Sequence, residues 1–306
     1  MKPEEIRKKF AAREITKAEF IDLMHQVHSC LFDYAAYLPQ TDIQKIEITD
    51  GQVLMTSREN GVKILCDPDD KRIAPIEILN FRNYEKTDSD MIFRLVKNGD
   101  QVLDIGANIG WYAISLAKRN PRCKILAFEP IPKTFSYLEK NVNLNSAANV
   151  KIYNHGFSNE TTELTFYYYP TGSGNASSAK LADVAGVQEI KCRVRPLDDF
   201  MRQHGQSVDF IKCDVEGAEL LVFRGGVETL KKHKPVVFSE MLRKWSARFN
   251  YHPNEIIELF SGIGYRCFTA KGEKLAEFFA MDEDTAETNF YFLHAEKHAD
   301  KIRLLT

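Results

Sequence analysis

The spacing of apolar positions changes three times along the chain. From residue 3 to 38, Phe10, Ile15, Phe20, Leu23, Met24, Val27, Leu31 and Tyr34 recur at roughly helical intervals with no glycine or proline between them. That pattern predicts helix, with an apolar stripe that must pack on another surface. From Ile43 to Asp67 the runs shorten to IQKIEI, QVLMTS and VKILC, separated by the turn signals TDGQ and RENG. A small β-meander is expected there. A new segment begins near Tyr84, and beyond it apolar runs alternate with helical ones. QVLDIG, KILAFEP, VKIYNHG, VDFIKCD and KPVVFSE read as strands, and WYAISLAKR, IPKTFSYLEKNVNLN, EGAELLVFRG and PNEIIELFSGIG as helices. Such alternation predicts an α/β fold of βαβ units with a mostly parallel sheet and right-handed crossovers. YRCFTA and NFYFLHA, separated by a polar stretch without helical pattern, are expected to close the sheet as an antiparallel pair. TELTFYYYPTGSGNASSAK interrupts the rhythm between the third and fourth strands as a β-rich run followed by a Gly/Ser-rich loop. The chain therefore divides into an N-terminal helical segment with a β-meander, 1–80, and an α/β domain, 81–306.

Bulk properties narrow the function classes. A length of 306 residues suffices for one large α/β domain with an appendage. With 41 Lys+Arg against 43 Asp+Glu there is no basic excess of the kind that binding to a phosphate backbone requires, so nucleic acid is not an expected partner. No apolar run approaches the ~20 residues of a membrane span. The N-terminus, MKPEEIRKKFAAREITKAEF, is charged where a secretory signal carries its apolar segment. A cytoplasmic protein without membrane attachment is the expectation. The six cysteines are scattered without metal-ligand spacing, which suits small buried residues in a reducing compartment.

In an open parallel sheet, ligands sit beyond the carboxyl ends of the strands, and the turn after the first strand is the usual place. Here that turn reads VLDIGANIGWYAISLAK. Gly106 and Gly110 allow a sharp turn and close approach of the backbone to a ligand. The dinucleotide fingerprint GxGxxG would need glycine at 108 and 111, where Asn108 and Trp111 stand. Asp104, just ahead of the glycines, is poorly placed for pyrophosphate and suits a ligand with an ammonium or sulfonium charge. Glu129 ends the second strand 25 residues after Asp104, where a carboxylate can accept hydrogen bonds from both ribose hydroxyls of an adenosine. At the end of the third strand, Phe157 is expected against an adenine ring and Ser158 or Asn159 at its polar edge. An adenosine with a positive centre is the ligand these residues describe.

DIGANIGWYA, AFEP, NHGFSN, RPLDDF and above all IKCDVEGAELLVFRGGVETLKKHKPVVFSE resemble the FkbM-type family of S-adenosylmethionine-dependent methyltransferases, over about Tyr84 to His294. The resemblance implies a class I methyltransferase (Rossmann-like) fold, with a seven-stranded, mostly parallel sheet and an antiparallel last strand. It implies S-adenosylmethionine as cofactor and methyl transfer to a hydroxyl of a sugar or natural product. It also implies cofactor roles for Asp104, Gly106, Asn108, Gly110 and Glu129. The acceptor is then a small-molecule hydroxyl, such as a polyketide or peptide presented on a carrier protein or megasynthase neighbour, or else a sugar.

A neutral alcohol must lose its proton during transfer, which calls for a general base. Asp214 is the first candidate, with His155 and Glu240 as the others, each at the end of a strand. Glu216 either caps the helix that DVEG opens or lines the site. Asp214, Glu216 and Glu240 together are the oxygen ligands that Mg²⁺ would take, although a metal is not expected as a required cofactor. The loop around TGSGNASS overhangs the acceptor side, as a lid or as a plain hairpin loop. Tyr167, Tyr168 and Tyr169 should alternate across a strand with at most one facing substrate, and KKHK should complement a helix end. The N-terminal helices are left with three roles: pocket cover, dimer contact or connection to a larger assembly. The competing readings are an NAD-dependent dehydrogenase, disfavoured by Asn108, Trp111 and Asp104, and a scaffold that binds cofactor without turnover.

Overall fold

The computed structural model describes residues 1–180, 186–205 and 207–306. The N-terminal stretch is two helices, α1 (Pro3–Ala11) and α2 (Lys17–Tyr37). Their break is encoded in ITKAE. The Thr16 hydroxyl accepts from Glu19 N–H while the Glu19 carboxylate accepts from Thr16 N–H, a reciprocal box that starts a helix. Phe10 stacks on Phe20 at 4.4 Å and ties the pair together. Contrary to the expected packing, α2 buries no residue, and Ile21, Leu31 and Phe32 stay exposed. Tyr37 at its C-terminal end anchors it through a hydrogen bond to the Leu79 carbonyl.

The meander forms as expected from β1 (Ile43–Thr49), β2 (Gln52–Ser57) and β3 (Lys63–Leu65), all antiparallel. It is fastened to the rest of the chain by Asn141 and Asn145, whose side-chain oxygens accept from Leu65 and Lys63 N–H. Two helices that the apolar pattern did not disclose follow, α3 (Ala74–Phe81) and α4 (Lys86–Leu95).

The alternating half then runs β4 (Gln101–Ile105), α5 (Trp111–Arg119), β5 (Lys124–Phe128), α6 (Pro132–Leu144) and β6 (Val150–Tyr153). A second, three-stranded sheet interrupts it, from β7 (Gly156–Phe157), β8 (Thr162–Tyr168) and β9 (Gln188–Arg195). The main sheet resumes through α7 (Leu197–His204), β10 (Phe210–Cys213), α8 (Glu219–Arg224), α9 (Val227–His233) and β11 (Val236–Glu240). The chain continues with α10 (Arg243–Ser246), α11 (Asn254–Ser261), β12 (Tyr265–Lys271), β13 (Lys274–Phe278), β14 (Asn289–His294) and α12 (Ala299–Leu305).

The main sheet has the order β13-β12-β14-β11-β10-β4-β5-β6. Strands β6, β5, β4, β10 and β11 are parallel, and β14 inserts antiparallel between β11 and β12. This is the mostly parallel Rossmann-like sheet with an antiparallel last strand. It has eight strands where seven were expected, because β13 turns back on β12 as an edge hairpin. Apolar clusters cover both faces of the sheet, so its central strands are near-continuous apolar runs. Two exceptions stand out by burial. Asp104 in β4 and Lys212 in β10 are 1% and 4% exposed and lie side by side in register. After β4 the chain builds toward β6 and then crosses back to add β10 on the other side of β4. The crevice at the carboxyl ends of β4 and β10 is therefore the switch point where such sheets take ligands.

No helix among the described residues is long and apolar enough to cross a membrane. All six cysteines are free, and five are buried.

Candidate functional site

A cavity of about 390 Å³ opens at this switch point, within the ~300–1,000 Å³ of small-molecule sites. Its floor is the Gly106–Tyr112 turn and the ends of β5, β10 and β11. Arg72, Ile73, Ala74 and Glu77 wall it together with Tyr84 and Glu85, and Ser173–Ala176 of the Gly/Ser loop closes the far side. That loop does overhang the cavity. Its Ser173 N–H donates to Asp70 at 2.9 Å, Ser173 Oγ reaches Asn108 Oδ1 at 3.3 Å, and Ser177 Oγ donates to the Glu216 carbonyl at 2.8 Å.

Both glycines of the turn take positive φ, +78° and +93°, as the sharp turn requires, and each also makes room for a neighbouring element. A Cβ on Gly106, at φ +78°, would stand 1.8 Å from the Asp214 carbonyl oxygen, so this position serves the crossing of two main chains at the cavity floor. Gly110 does not line the cavity: a Cβ there would stand 2.7 Å from Leu138 Cδ1, so it is a helix-packing position. Asn108 occupies the left-handed region at φ +49°, where the dinucleotide fingerprint has glycine, and asparagine tolerates it. Its side-chain oxygen accepts the Ile109 N–H at 2.7 Å, and its own N–H donates to Glu129 Oε2 at 3.1 Å.

Glu129 lines the cavity and is 6% exposed. Each oxygen takes one backbone N–H, from Asn108 and from Ile131 at 2.8 Å. A carboxylate has about four lone-pair sites, so two remain. Burial pushes the Glu129 carboxyl up to about 7, against the downward pull of those two N–H groups.

Asp104 lies beneath the cavity floor and is not among the residues that line it. Burial raises its carboxyl, opposed by Lys212, whose Nζ lies 3.7 Å away. Lys212 does line the cavity. Its ammonium donates to Asp214 Oδ2 at 3.1 Å and to the Gly106 carbonyl at 3.4 Å, and sits 5.4 Å above the Tyr112 ring. Burial draws its proton affinity down, but Asp214 and Asp104 more than offset this and leave the ammonium raised.

Asp214, Glu216 and Glu240 each bring a carboxylate oxygen within 4.8 Å of the others. Burial, reinforced by Asp214, drives both Glu216 and Glu240 well above the ordinary carboxylate range. Glu85 is also raised by burial, against the Tyr112 hydroxyl that donates to it at 2.6 Å. The DVEG turn does not open a helix at Asp214. Residue 216 takes φ +54° and Gly217 φ +100°, and α8 begins only at Glu219. Glu219, which sequence reading missed, fixes the turn: its Oε1 accepts from Val215 and Gly217 N–H, both at 3.1 Å, and its Oε2 from Tyr251 Oη at 3.3 Å.

Three expected site residues lie elsewhere. His155 is packed among Phe128, Phe157 and Phe200, with Nδ1 3.1 Å from the Gly156 carbonyl oxygen, and burial lowers its pKa. Phe157 is a core residue of β7, edge-on to Phe128 at 4.7 Å. Ser158 is buried with its carbonyl against Gly225 beyond α8, where a Cβ would stand 2.1 Å from it. None of the three lines the cavity. Chain geometry explains it: β6 stops at Tyr153, and the next residues leave the main sheet to pair with β9. Of the tyrosine run, Tyr168 and Tyr169 are buried and none of the three lines the cavity, whereas Phe166 does.

Gly106, Asn108, Glu129, Asp214, Glu216 and Glu240 thus converge, while Asp104, Gly110, His155, Phe157 and Ser158 do not line the site. Lys212, Tyr84, Glu85, Tyr112 and Arg72 were not anticipated. A lysine inside the apolar run VDFIKCD was the one legible signal among them.

Residues 104–267 match the Methyltransferase FkbM domain. Methyltransferase 1 of Beauveria bassiana is 31% identical over 142 residues, 40% of this chain and 57% of that protein. Methyltransferase sdnD of Sordaria araneosa is 30% identical over 173 residues, 47% and 66% of the two chains. The 2-O-methyltransferase NoeI of Sinorhizobium fredii is 27% identical over 161 residues, 48% and 65%. The matched region thus spans between 57% and 66% of these relatives' lengths. With more than half of its residues matching that domain, the chain belongs to the FkbM methyltransferase family.

Proposed function

We propose that the chain binds S-adenosylmethionine in the switch-point cavity and transfers its methyl group to a hydroxyl of a small molecule. The observation that carries this reading is the charge of the lining. Among the described residues six carboxyl groups, Glu77, Glu85, Glu129, Asp214, Glu216 and Glu240, line the cavity against two cationic side chains, Lys212 and Arg72, and Arg72 also pairs with Glu77 at 3.4 Å. Burial favours the neutral form of several of these carboxyls and a bound cation restores the ionised form, so such a lining suits a sulfonium and an ammonium and disfavours the pyrophosphate of a dinucleotide. The two remaining lone-pair sites of Glu129 match the two hydroxyls of an adenosine ribose.

When bound, the cofactor supplies an electrophilic methyl carbon on a positively charged sulfur. Glu129 holds the ribose, the 106–108 main chain shapes the floor, and Ser173–Ala176 with Tyr84 shield the site from water. An in-line displacement gains most from holding its three reacting centres in one line. Asp214 and Glu240 stand at the ends of adjacent parallel strands, and Asp214 takes the acceptor's proton, a contribution of ~10²–10⁴-fold. The oxygen's electron pair forms the new C–O bond while the C–S pair stays on sulfur, so the products are a methyl ether and a thioether. The relative named as a 2-O-methyltransferase supports oxygen as the acceptor atom. The acceptor is a sugar or natural-product hydroxyl, free or carried on a protein.

The test is incubation with methyl-labelled S-adenosylmethionine and matched pairs of hydroxyl- and amine-bearing acceptors. Label recovered as a methyl ether supports the proposal, and label found only on amines contradicts it.

A further inference from the structure

Within that reading, we propose that Asp214, Glu216 and Glu240 hold one divalent metal ion, to which the acceptor binds through two adjacent oxygens. The three carboxylates offer oxygens within 4.8 Å of one another. Across a Ca²⁺ ion, with bonds of ~2.3–2.6 Å, opposite ligands stand roughly 4.6–5.2 Å apart, and across Mg²⁺ about 4.0–4.2 Å. The cluster already has the span of a coordination shell, and side-chain shifts of a few tenths of an ångström adapt it to the smaller ion.

A second observation points to a cation ligand. Glu216 Oε2 is buried and accepts no hydrogen bond from the described residues, although a buried carboxylate oxygen is costly without a donor or a cation. The nearby ammonium of Lys212 is engaged by Asp214 and the Gly106 carbonyl. Each ligand is also held by its own element. Asp214 and Glu240 end the neighbouring strands β10 and β11, and Lys212 orients Asp214 from behind. Glu216 rides on a turn fixed from both sides by Glu219 and Ser177. Ligands fixed by outer partners in this way are a common feature of metal sites.

An all-oxygen donor set selects a hard ion, Mg²⁺, Mn²⁺ or Ca²⁺, over Zn²⁺ or Cu²⁺. Three protein ligands leave about three of six positions for water and substrate. A vicinal diol or a hydroxyl beside a carbonyl would fill two of them, and coordination to the ion lowers the hydroxyl pKa. The proton then leaves to a carboxylate oxygen of the cluster that does not ligate the ion, as the C–O bond forms and the C–S pair returns to sulfur.

Mn²⁺ binding to the metal-stripped full chain, followed by electron paramagnetic resonance and competed with Mg²⁺, tests the site. One ion per chain is expected, bound at least about tenfold more weakly by Glu216→Gln and by Glu240→Gln, with thermal unfolding confirming that both variants fold. Tb³⁺ emission excited through Trp111 and Tyr112, which line the same cavity, locates the ion without any substitution. No binding at millimolar Mn²⁺, equal affinity in either variant, or absence of sensitised Tb³⁺ emission would overturn the proposal. S-adenosylhomocysteine titrated into the same samples separates the two readings. If it binds and metal does not, only the metal site fails; if neither binds, the cofactor reading fails as well.

Discussion

Replacing Glu129 by glutamine tests the ribose site at a single group. The carboxylate gives one lone-pair site on each oxygen to the Asn108 and Ile131 N–H groups and keeps one on each for a ligand hydroxyl. Glutamine has one acceptor oxygen, so at least one hydroxyl bond to a charged acceptor is lost, worth ~1.5–3 kcal/mol. Affinity for S-adenosylhomocysteine should fall about 10- to 150-fold. The pH dependence adds an independent signature. Burial holds the wild-type carboxyl at about 7, and two hydroxyl donors need the ionised form. Affinity should therefore be flat above that pH and fall toward tenfold per unit below it, whereas the glutamine variant has no such group to titrate. Stability moves the other way with pH. The folded pKa is raised above the ordinary glutamate value of 4.5, so the folded chain holds this proton more tightly than the unfolded chain does. Between about 4.5 and 7 this group's contribution to stability declines as pH rises. Calorimetric titrations of both proteins across pH 5.5–8.5 read the affinity directly. Equal affinity of wild type and variant at pH 8 would refute the ribose assignment.

Other substitutions probe the frame around that site. Gly106→Ala must move the Asp214 carbonyl, 1.8 Å from the new Cβ, at a left-handed backbone position; a melting temperature lowered by several degrees or loss of soluble protein is expected, and an unchanged melt would contradict the crossing described. Glu219→Ala strips the acceptor from two backbone N–H groups of the DVEG turn, at ~1–3 kcal/mol each, so urea unfolding should shift and turnover should fall with it. Unaltered stability would show that the turn does not depend on Glu219. His155→Phe should keep kcat within about threefold, because His155 packs among aromatic rings outside the cavity, whereas a general base contributes ~10²–10⁴-fold. A hundredfold loss in kcat would restore His155 as the base.

Much of this arrangement is written in local pattern. The alternation of runs gives the parallel sheet, and Glu129, Asp214 and Glu240 are legible because each ends an apolar strand at the edge where ligands bind. The same logic failed for His155 and Phe157. Strand-end position does not say which way the chain leaves, and after Tyr153 it leaves into a second sheet. Strand β9, QEIKCRVR, escaped notice because its charged residues mark a largely exposed strand. Arg72, Glu77, Tyr84 and Glu85 reach the cavity through the packing of residues 72–85 against the α/β half, a long-range outcome without local signature. The exposed stripe of α2 shows the converse: a helical period predicts the helix but does not supply it with a partner surface within the chain.

The most direct test of the account is isothermal titration of the full chain with S-adenosylmethionine, S-adenosylhomocysteine and NAD in parallel. The account predicts that both adenosyl ligands bind at one site per chain and that NAD, whose pyrophosphate meets the carboxylate-rich lining, does not. Binding of NAD with neither adenosyl ligand would contradict it.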